Sequence, residues 1–320
     1  MNTRRCLLST AIALLLPLAQ AQEFPTKPVK IVVPFTAGSA TDILARTVGQ
    51  KLNDLWGQTV VIENRPGAGG TIGANAVAKS PPDGTTLMVH SSGHAVNAFI
   101  YPTLPYDTQK DFVAVVPLGG QPNVLVVAPS SGYKTMADLL ADAKKRPGAL
   151  SFASAGIGSG THFNAEKFKI AAGIDVLHVP YKGTPEALTD TMTGRVQYYF
   201  APISGALAQV REGKLVALAV SSGKRSSLLP QVPTVAEAGL PGFDYNLWVG
   251  VFAPAGTPAD VVDKIGRSIN RVLAEADVKE RMAALGAEAM AMTPAEFDKF
   301  VRAEMDDAGK VVKAAGIKVQ

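Results

Sequence analysis

Two loops hold the residues whose types and spacing could do chemistry. The first is Val33-Pro34-Phe35-Thr36-Ala37-Gly38-Ser39-Ala40-Thr41-Asp42 and the second is Phe152-Ala153-Ser154-Ala155-Gly156-Ile157-Gly158-Ser159-Gly160-Thr161-His162. In each, an apolar strand stops, small residues follow and a helix begins. Small residues let backbone N–H groups approach a ligand closely, and a helix start adds partial positive charge. The second loop places three glycines and three hydroxyl residues in eleven positions. Such a stretch is a neutral anion cradle of N–H and O–H donors. Asp42 is expected to face a cleft and select solutes that offer a donor; the alternative is an acid that favours the helix dipole. His162 could donate to a ligand or could pack and bond locally. Neither loop is a Rossmann or Walker sequence, because the glycine spacing differs and no lysine follows. Ser159 lacks the flanking glycines of a G-x-S-x-G elbow. A third cluster, Gly67-Ala68-Gly69-Gly70-Thr71-Ile72-Gly73, reads as a structural turn and helix start. His90 and His94 have no third ligand nearby in sequence, so no metal is expected there. No cofactor is expected either.

The elements that position these loops alternate. Strands are expected at Val29–Val33, Val60–Glu63, Thr86–His90, Val124–Ala128, Leu150–Ala153, Val176–Val179, Val196–Phe200, Val216–Val220 and Trp248–Ala253. Most are apolar or β-branched and bounded by Gly or Pro. Helices fill the gaps; Asp42–Leu55 carries Ile43, Leu44, Val48, Leu52 and Leu55 on one face. Thr135-x-x-Asp138, Thr257-Pro258-x-Asp260 and Thr293-Pro294-x-Glu296 each set a capping hydroxyl three residues before an acid, and Thr184 precedes Pro185. The pattern predicts an α/β fold of mainly parallel sheets with crossover helices.

At the N-terminus, Arg4 and Arg5 precede an apolar run from Leu7 to Leu18 that closes with Ala19-Gln20-Ala21. This is the layout of a secretory signal over residues 1–21, since its apolar run is short of the roughly 20 residues that span a bilayer. Neighbouring arginines leave the export route open. Cys6, the one cysteine, lies inside that signal, so the mature chain has no disulfide, thiol nucleophile or cysteine metal ligand. Beyond the signal there are 29 Lys+Arg against 27 Asp+Glu, because two of the 31 basic residues are Arg4 and Arg5. They are scattered without aromatic platforms, which argues against nucleic acid as a partner. Strands leading into proline-marked turns at Val124–Pro129 and Trp248–Pro254 suggest two crossings between two lobes. Residues 23–123 plus 248–320 would form one lobe and residues 124–247 the other, with a ligand cleft between them at the carboxyl ends of the strands.

The sequence resembles the Bug receptor family, the solute-binding proteins of tripartite tricarboxylate transporters. The similarity runs from about Phe24 to the C-terminus. Its markers are Pro34-Phe35-Thr36-Ala37-Gly38 with Asp42 and Arg46, Val61-Ile62-Glu63-Asn64-Arg65-Pro66-Gly67-Ala68-Gly69-Gly70, Gly156 to His162 and Val179-Pro180-Tyr181-Lys182-Gly183. Leu228-Leu229-Pro230-Gln231-Val232-Pro233-Thr234-Val235-Ala236-Glu237-Ala238-Gly239 and Phe252-Ala253-Pro254-Ala255-Gly256-Thr257-Pro258 complete the set. The resemblance implies a two-lobed periplasmic binding protein of type II-like fold that closes on its solute. It implies carboxylate capture by Phe35, Thr36, Ala37, Gly38, Ser39 and Asp42 from one lobe. Ser154, Gly156, Ser159, Thr161 and His162, with Gly183 and Thr184, would act from the other. Backbone N–H groups, hydroxyls and waters would do most of the holding. Ser39 stands where the family usually has a second glycine, and Gln197 where it often has an acid; Tyr198-Tyr199-Phe200 follows and reads as core.

The expected function is therefore capture, in the periplasm, of a small carboxylate-bearing solute: an organic acid, an aromatic acid or an acidic amino acid. The membrane subunits of a tripartite transporter would be its partners, and a monomer is expected. A sensing receptor that presents its solute to a signalling partner would use the same cleft. An enzyme is the third reading: no nucleophile–base set is visible, although Ser159, His162 and Asp42 could meet through the fold.

Overall fold

The computed structural model describes residues 24–315, so the expected export signal lies outside the described residues. The strands are β1 (Val29–Val33), β2 (Val60–Asn64), β3 (Thr86–Ser91), β4 (Phe112–Val127), β5 (Ser151–Ser154), β6 (Leu177–Pro180), β7 (Tyr198–Pro202), β8 (Val216–Val220), β9 (Asn246–Pro254) and β10 (Glu288–Ala289). The helices are α1 (Ala40–Trp56), α2 (Thr71–Ala78), α3 (Gly93–Ile100), α4 (Met136–Lys145), α5 (Gly160–Ala172), α6 (Thr184–Met192), α7 (Ile203–Arg211), α8 (Ala259–Ala274), α9 (Ala276–Ala284) and α10 (Pro294–Ala315).

Strand β4 organises the molecule. Its first part, from Phe112 to Pro122, pairs antiparallel with β9. Its second part, from Asn123 onward, pairs antiparallel with β7 and with β8. One lobe is thus built on the order β2-β1-β3-β9-β4 and the other on β4-β7-β5-β6. Within each lobe the β–α–β segments are parallel: β2, β1 and β3 in the first, β6, β5 and β7 in the second. The sheets are mixed rather than mainly parallel, because the long strands that link the lobes run against the rest. The expected strand at Val124–Ala128 is only the end of β4. Register shifts at Ala114/Val116 and Pro117/Gly119 carry the strand past Pro117 and Gly119 as bulges, while Gly120 and Pro122 pair in register with Trp248 and Asn246.

Side-chain alternation along β4 feeds two cores. Val124 and Val126 pack with Tyr199, Ile203 and Leu229, while Leu125 and Val127 pack with Phe152, Phe168, Tyr198 and Phe200. The aromatic run at 198–200 therefore divides between the two faces of its sheet and is core, as read from the sequence. In the first lobe Val33, Leu44, Val48 and Leu52 join Val115, Val251 and Ile265. Helix α1 ends because Gly57 turns left-handed at φ 62 and returns its N–H to Asn53 O.

The capping expectations hold at Thr135, which forms a reciprocal box with Asp138. They hold at Thr293, whose hydroxyl accepts from Glu296 N while Thr293 N donates to the Glu296 carboxylate. Thr257 does not cap α8. Pro258 takes that position and the Thr257 hydroxyl donates back to Pro254 O. Thr184 is the first residue of α6 rather than its cap, which is Gly183.

Candidate functional site

Five strand-to-helix junctions meet where the lobes face each other. A cavity of about 20 Å³ there is lined by Phe35, Ser39, Ala40, Thr41, Ser91, Ala155, Ser159, Gly160, Thr161, Thr184, Pro202 and Leu247. Ser39, Ala40 and Thr41 open α1, Ser159 to Thr161 open α5, and Thr184 opens α6. Ser91 ends β3 just before α3, and Pro202 is the cap of α7. The first N–H groups of a helix lack partners within it and carry partial positive charge. Every lining residue is uncharged, so the cavity can attract an anion through dipoles and hydroxyls without a fixed cation. The space suits about one water position, since the lobes are drawn together. A larger groove of about 530 Å³ lies elsewhere, between α5 and α10 beside Lys167 and Phe243. No such set of helix starts converges on it.

Five residues expected from the sequence line the cavity: Phe35, Ser39, Ser159, Thr161 and Thr184. Ser159 is also the cap of α5, its hydroxyl accepting from His162 N at 3.2 Å and lying 3.1 Å from the Thr161 hydroxyl. Thr161 Oγ1 in turn accepts from Ala155 N at 2.9 Å, which folds the loop over the helix start. Phe35 is buried with its ring edge-on to His90.

The other expected residues stand around the cavity in different roles. Ala37 and Gly38 form an exposed turn. The Gly38 N–H is bound by Asp42 at 2.9 Å, so neither residue faces the cavity. Asp42 is buried but its oxygens are already taken by Gly38 N, Arg46 Nε and Asn64 Nδ2. Burial opposes its ionisation, yet the hydrogen bonds from Arg46, Gly38 and Asn64 outweigh that and hold its pKa below the usual value. These bonds tie the first loop to α1 and β2. His162 is bonded locally, one of the two readings its sequence position allowed: it is buried and its Nδ1 accepts from Gly158 N at 3.1 Å. Burial, with Lys169 nearby, lowers its pKa to about 4. Ser154 is buried with its hydroxyl 2.6 Å from His178 Nε2.

Thr36, Gly156 and Gly183 join the lobes. Thr36 N donates to Lys182 O at 3.4 Å and its hydroxyl to Glu186 at 3.0 Å. A side chain on Gly183 would stand 1.9 Å from Thr36 Oγ1, and one on Gly156 would press on Gly69 N at 3.0 Å. Thr184 N donates to Ser39 Oγ at 3.1 Å, Tyr101 Oη to Ile157 O at 2.9 Å, and the Ser92 and Tyr245 hydroxyls meet at 2.7 Å. The lobes therefore stand closed on each other.

Ala40, Thr41, Ala155 and Gly160 also line the cavity and belong to the two loops singled out from the sequence, whereas Ser91, Pro202 and Leu247 were missed. Thr41 matters most, because its hydroxyl is buried without a hydrogen-bond partner. Ser91-Ser92-Gly93 has the small-residue strand-to-helix signature, which the flanking histidines masked. Pro202 and Leu247 carried no local signal. His90 and His94 pack 5.2 Å apart among Phe35, Tyr106, Phe112 and Phe252. Among the described residues no group of three or more His, Asp or Glu could hold a metal, and no helix is long and apolar enough to cross a membrane.

The profile of the tripartite tricarboxylate transporter family receptor, TctC, matches residues 44–317. BugT of Bordetella pertussis is 38% identical over 302 residues, covering 94% of this chain and 93% of that protein. A Pseudomonas sp. (strain P51) protein of the tcbD–tcbE intergenic region is 42% identical over 287 residues, covering 88% of this chain and 85% of its own length. Among solved structures, an R. palustris protein with adipate superposes with a TM-score of 0.90 at 36% identity, covering 93% of this chain and all (100%) of that one. MatC from Rhodopseudomonas palustris with bound malate gives 0.86 at 35% identity, over 90% of this chain and 100% of its own. The periplasmic binding protein BugD gives 0.88 at 34%, over 92% and 100%. The chain thus belongs to the receptor family of tripartite tricarboxylate transporters, and it is a two-lobed periplasmic solute-binding protein rather than an enzyme.

Proposed function

We propose that this protein captures a small carboxylate-bearing solute between its lobes and delivers it to the membrane subunits of a tripartite transporter. The observation that carries this reading is the convergence of helix starts on a cavity lined by uncharged donors. Such an arrangement favours an anion while leaving it releasable, because no buried cation holds it. Adipate and malate, bound by two structural relatives, make a dicarboxylate the leading class. The carboxylate sits against the starts of α1, α5 and α6, where Ser39, Thr41, Ser159, Thr161 and Thr184 supply hydroxyls beside the N–H groups. Thr36, Gly156 and Gly183 act by letting the lobes meet, and Asp42, Ser154 and His162 by holding the loops. The lobes comprise residues 23–123 plus 248–320 and residues 124–247, and they part about β4 and the start of β9 to admit the solute. Residues 1–21 direct export.

Thermal shift and calorimetry on the mature protein test the reading, with adipate, malate and matched mono- and tricarboxylates. A solute present at 100 Kd adds about 2.7 kcal/mol of stability. A rise in Tm with one or more carboxylates is expected. If uncharged or cationic solutes raise Tm and no carboxylate does, the reading is wrong.

A further inference from the structure

Behind the second loop two imidazoles lie face to face. The rings of His162, on α5, and His178, on β6, are 4.0 Å apart at 19°, and Phe152 stacks against the His178 ring at 4.8 Å. One ring holds a backbone N–H of the loop directly, and the other partners the serine hydroxyl that holds a second. His162 Nδ1 accepts from Gly158 N at 3.1 Å. His178 Nε2 lies 2.6 Å from Ser154 Oγ, which accepts from Gly156 N at 3.0 Å. The turn from Gly156 to Gly158 thus hangs from the histidine pair. Both glycines have positive φ, 121° and 81°, which glycine adopts without steric cost.

The chemistry of the pair is sensitive to a proton. Nδ1 of His162 can accept only if it is bare, which places the ring proton on Nε2. A proton added at Nδ1 removes the acceptor and sets two N–H groups against each other. A proton on both rings would place two cations at stacking distance, so the pair takes up one at most. The charged and titratable groups around it are few. Glu166 on α5 has Oε1 3.8 Å from His162 Nε2, and the same carboxylate pairs with Lys169 at 3.0 Å. Glu166 draws a proton towards His162 and Lys169 opposes it. Tyr198 of β7 stacks on the far side of Phe152 at 5.6 Å. Ser154 of β5 carries no charge.

We propose that His162, braced by the stacked His178, is a positioning residue for solute capture, which holds the Gly158 end of the Gly156–Gly158 turn while its Nδ1 is bare and releases it when that nitrogen takes up a proton. The proposal rests on the cavity beside that turn being the solute site. Burial, which lowers the His162 pKa to about 4 and that of His178 to about 2, keeps both rings neutral at ordinary pH. The sign follows: capture is intact near neutrality and is lost as pH falls through the folded value of His162.

The test uses the full mature protein with ¹⁵N-glycine, as wild type and as His162→Asn. The asparagine Oδ1 replaces Nδ1 as acceptor but takes up no proton in this range. In the wild type the Gly158 amide signal is expected to move on a one-proton curve with a midpoint of about 4. In His162→Asn it should stay put. Adipate and malate affinities are then measured against pH for both proteins. The solutes' own carboxyls titrate in the same window, and the ratio of the two proteins cancels them. That ratio should change about tenfold per pH unit below the midpoint. A Gly158 signal indifferent to pH in the wild type overturns the proposal, as does an identical acid loss of affinity in both proteins. Should His162→Asn not fold, the wild-type Gly158 curve still decides. Should neither solute bind at pH 7, the solute reading fails while the Gly158 curve judges the histidine pair separately.

Discussion

Replacing Gly183 by alanine should separate closure from folding. The Gly183 φ is 179°, extended backbone that alanine adopts without strain. Its added carbon, however, would stand 1.9 Å from Thr36 Oγ1 and 2.7 Å from Ser39 Oγ, both on the opposite lobe. Closing would then require both hydroxyls to turn away. Two interlobe hydrogen bonds depend on them, Thr36 Oγ1 to Glu186 at 3.0 Å and Thr184 N to Ser39 Oγ at 3.1 Å. At about 0.5–1.5 kcal/mol each, their loss takes about 1–3 kcal/mol from the closed state. That corresponds to about 5- to 150-fold weaker solute binding. No contact within either lobe is lost, so Tm without solute should move by less than about 2 °C, given about 2–4 °C per kcal/mol at this size or below. Calorimetry with adipate and malate, paired with melting of the solute-free protein, reads both quantities. Affinity within twofold of wild type would refute the claim that this contact belongs to closure. A large fall in the Tm of the solute-free protein would show instead that Gly183 serves its own lobe.

Thr41→Val keeps the shape of the side chain and removes a buried hydroxyl that has no partner. Solute affinity is expected to fall about tenfold or more, at the strength of a hydrogen bond to a charged group, with Tm unchanged or raised; unchanged affinity in calorimetry counts against a role at the site. Ser159→Ala removes the α5 cap and should cost about 1 kcal/mol of stability, together with affinity; a drop in Tm with affinity fully retained would make the hydroxyl a cap alone. Asp42→Asn should lower stability but leave the preference between adipate and malate intact, because the carboxylate is bonded to Gly38, Arg46 and Asn64. Asp42 has a depressed folded pKa, so its contribution is complete above the ordinary carboxylate value and fades as pH falls through the folded one. Urea titrations from pH 7 down to acid should show a shallower acid loss in Asp42→Asn, and a reversed solute preference would restore Asp42 as a selector.

Local chemistry was legible before the structure. The β1 and β8 strands carry their own apolar, β-branched signatures, and the caps at Thr135 and Thr293 follow from a hydroxyl and an acid three residues apart. Both loops were visible as small-residue stretches between a strand and a helix, because that feature is written in consecutive residues. Strand β4 was half hidden, since its prolines and glycines signal breaks locally and are carried within one strand, by bulges or in register, only when β9 lies alongside.

Which atoms of the loops face the cavity was a tertiary matter. Asp42 and His162 have the chemistry of ligand groups, yet Asn64 and Arg46 claim the one and Gly158 the other. Thr41 was one small residue of the first loop until the packing of the second lobe buried its hydroxyl beside Ser159 and Thr184. The stacking of His162 on His178 joins residues sixteen positions apart on neighbouring elements of the second lobe. By itself the sequence determined the donors, the helix starts and the alternation of strand and helix, for these depend on neighbours along the chain. Only the tertiary structure decided which donors are spent on the protein and which remain for a solute, because a hydrogen-bond partner is chosen by distance in space.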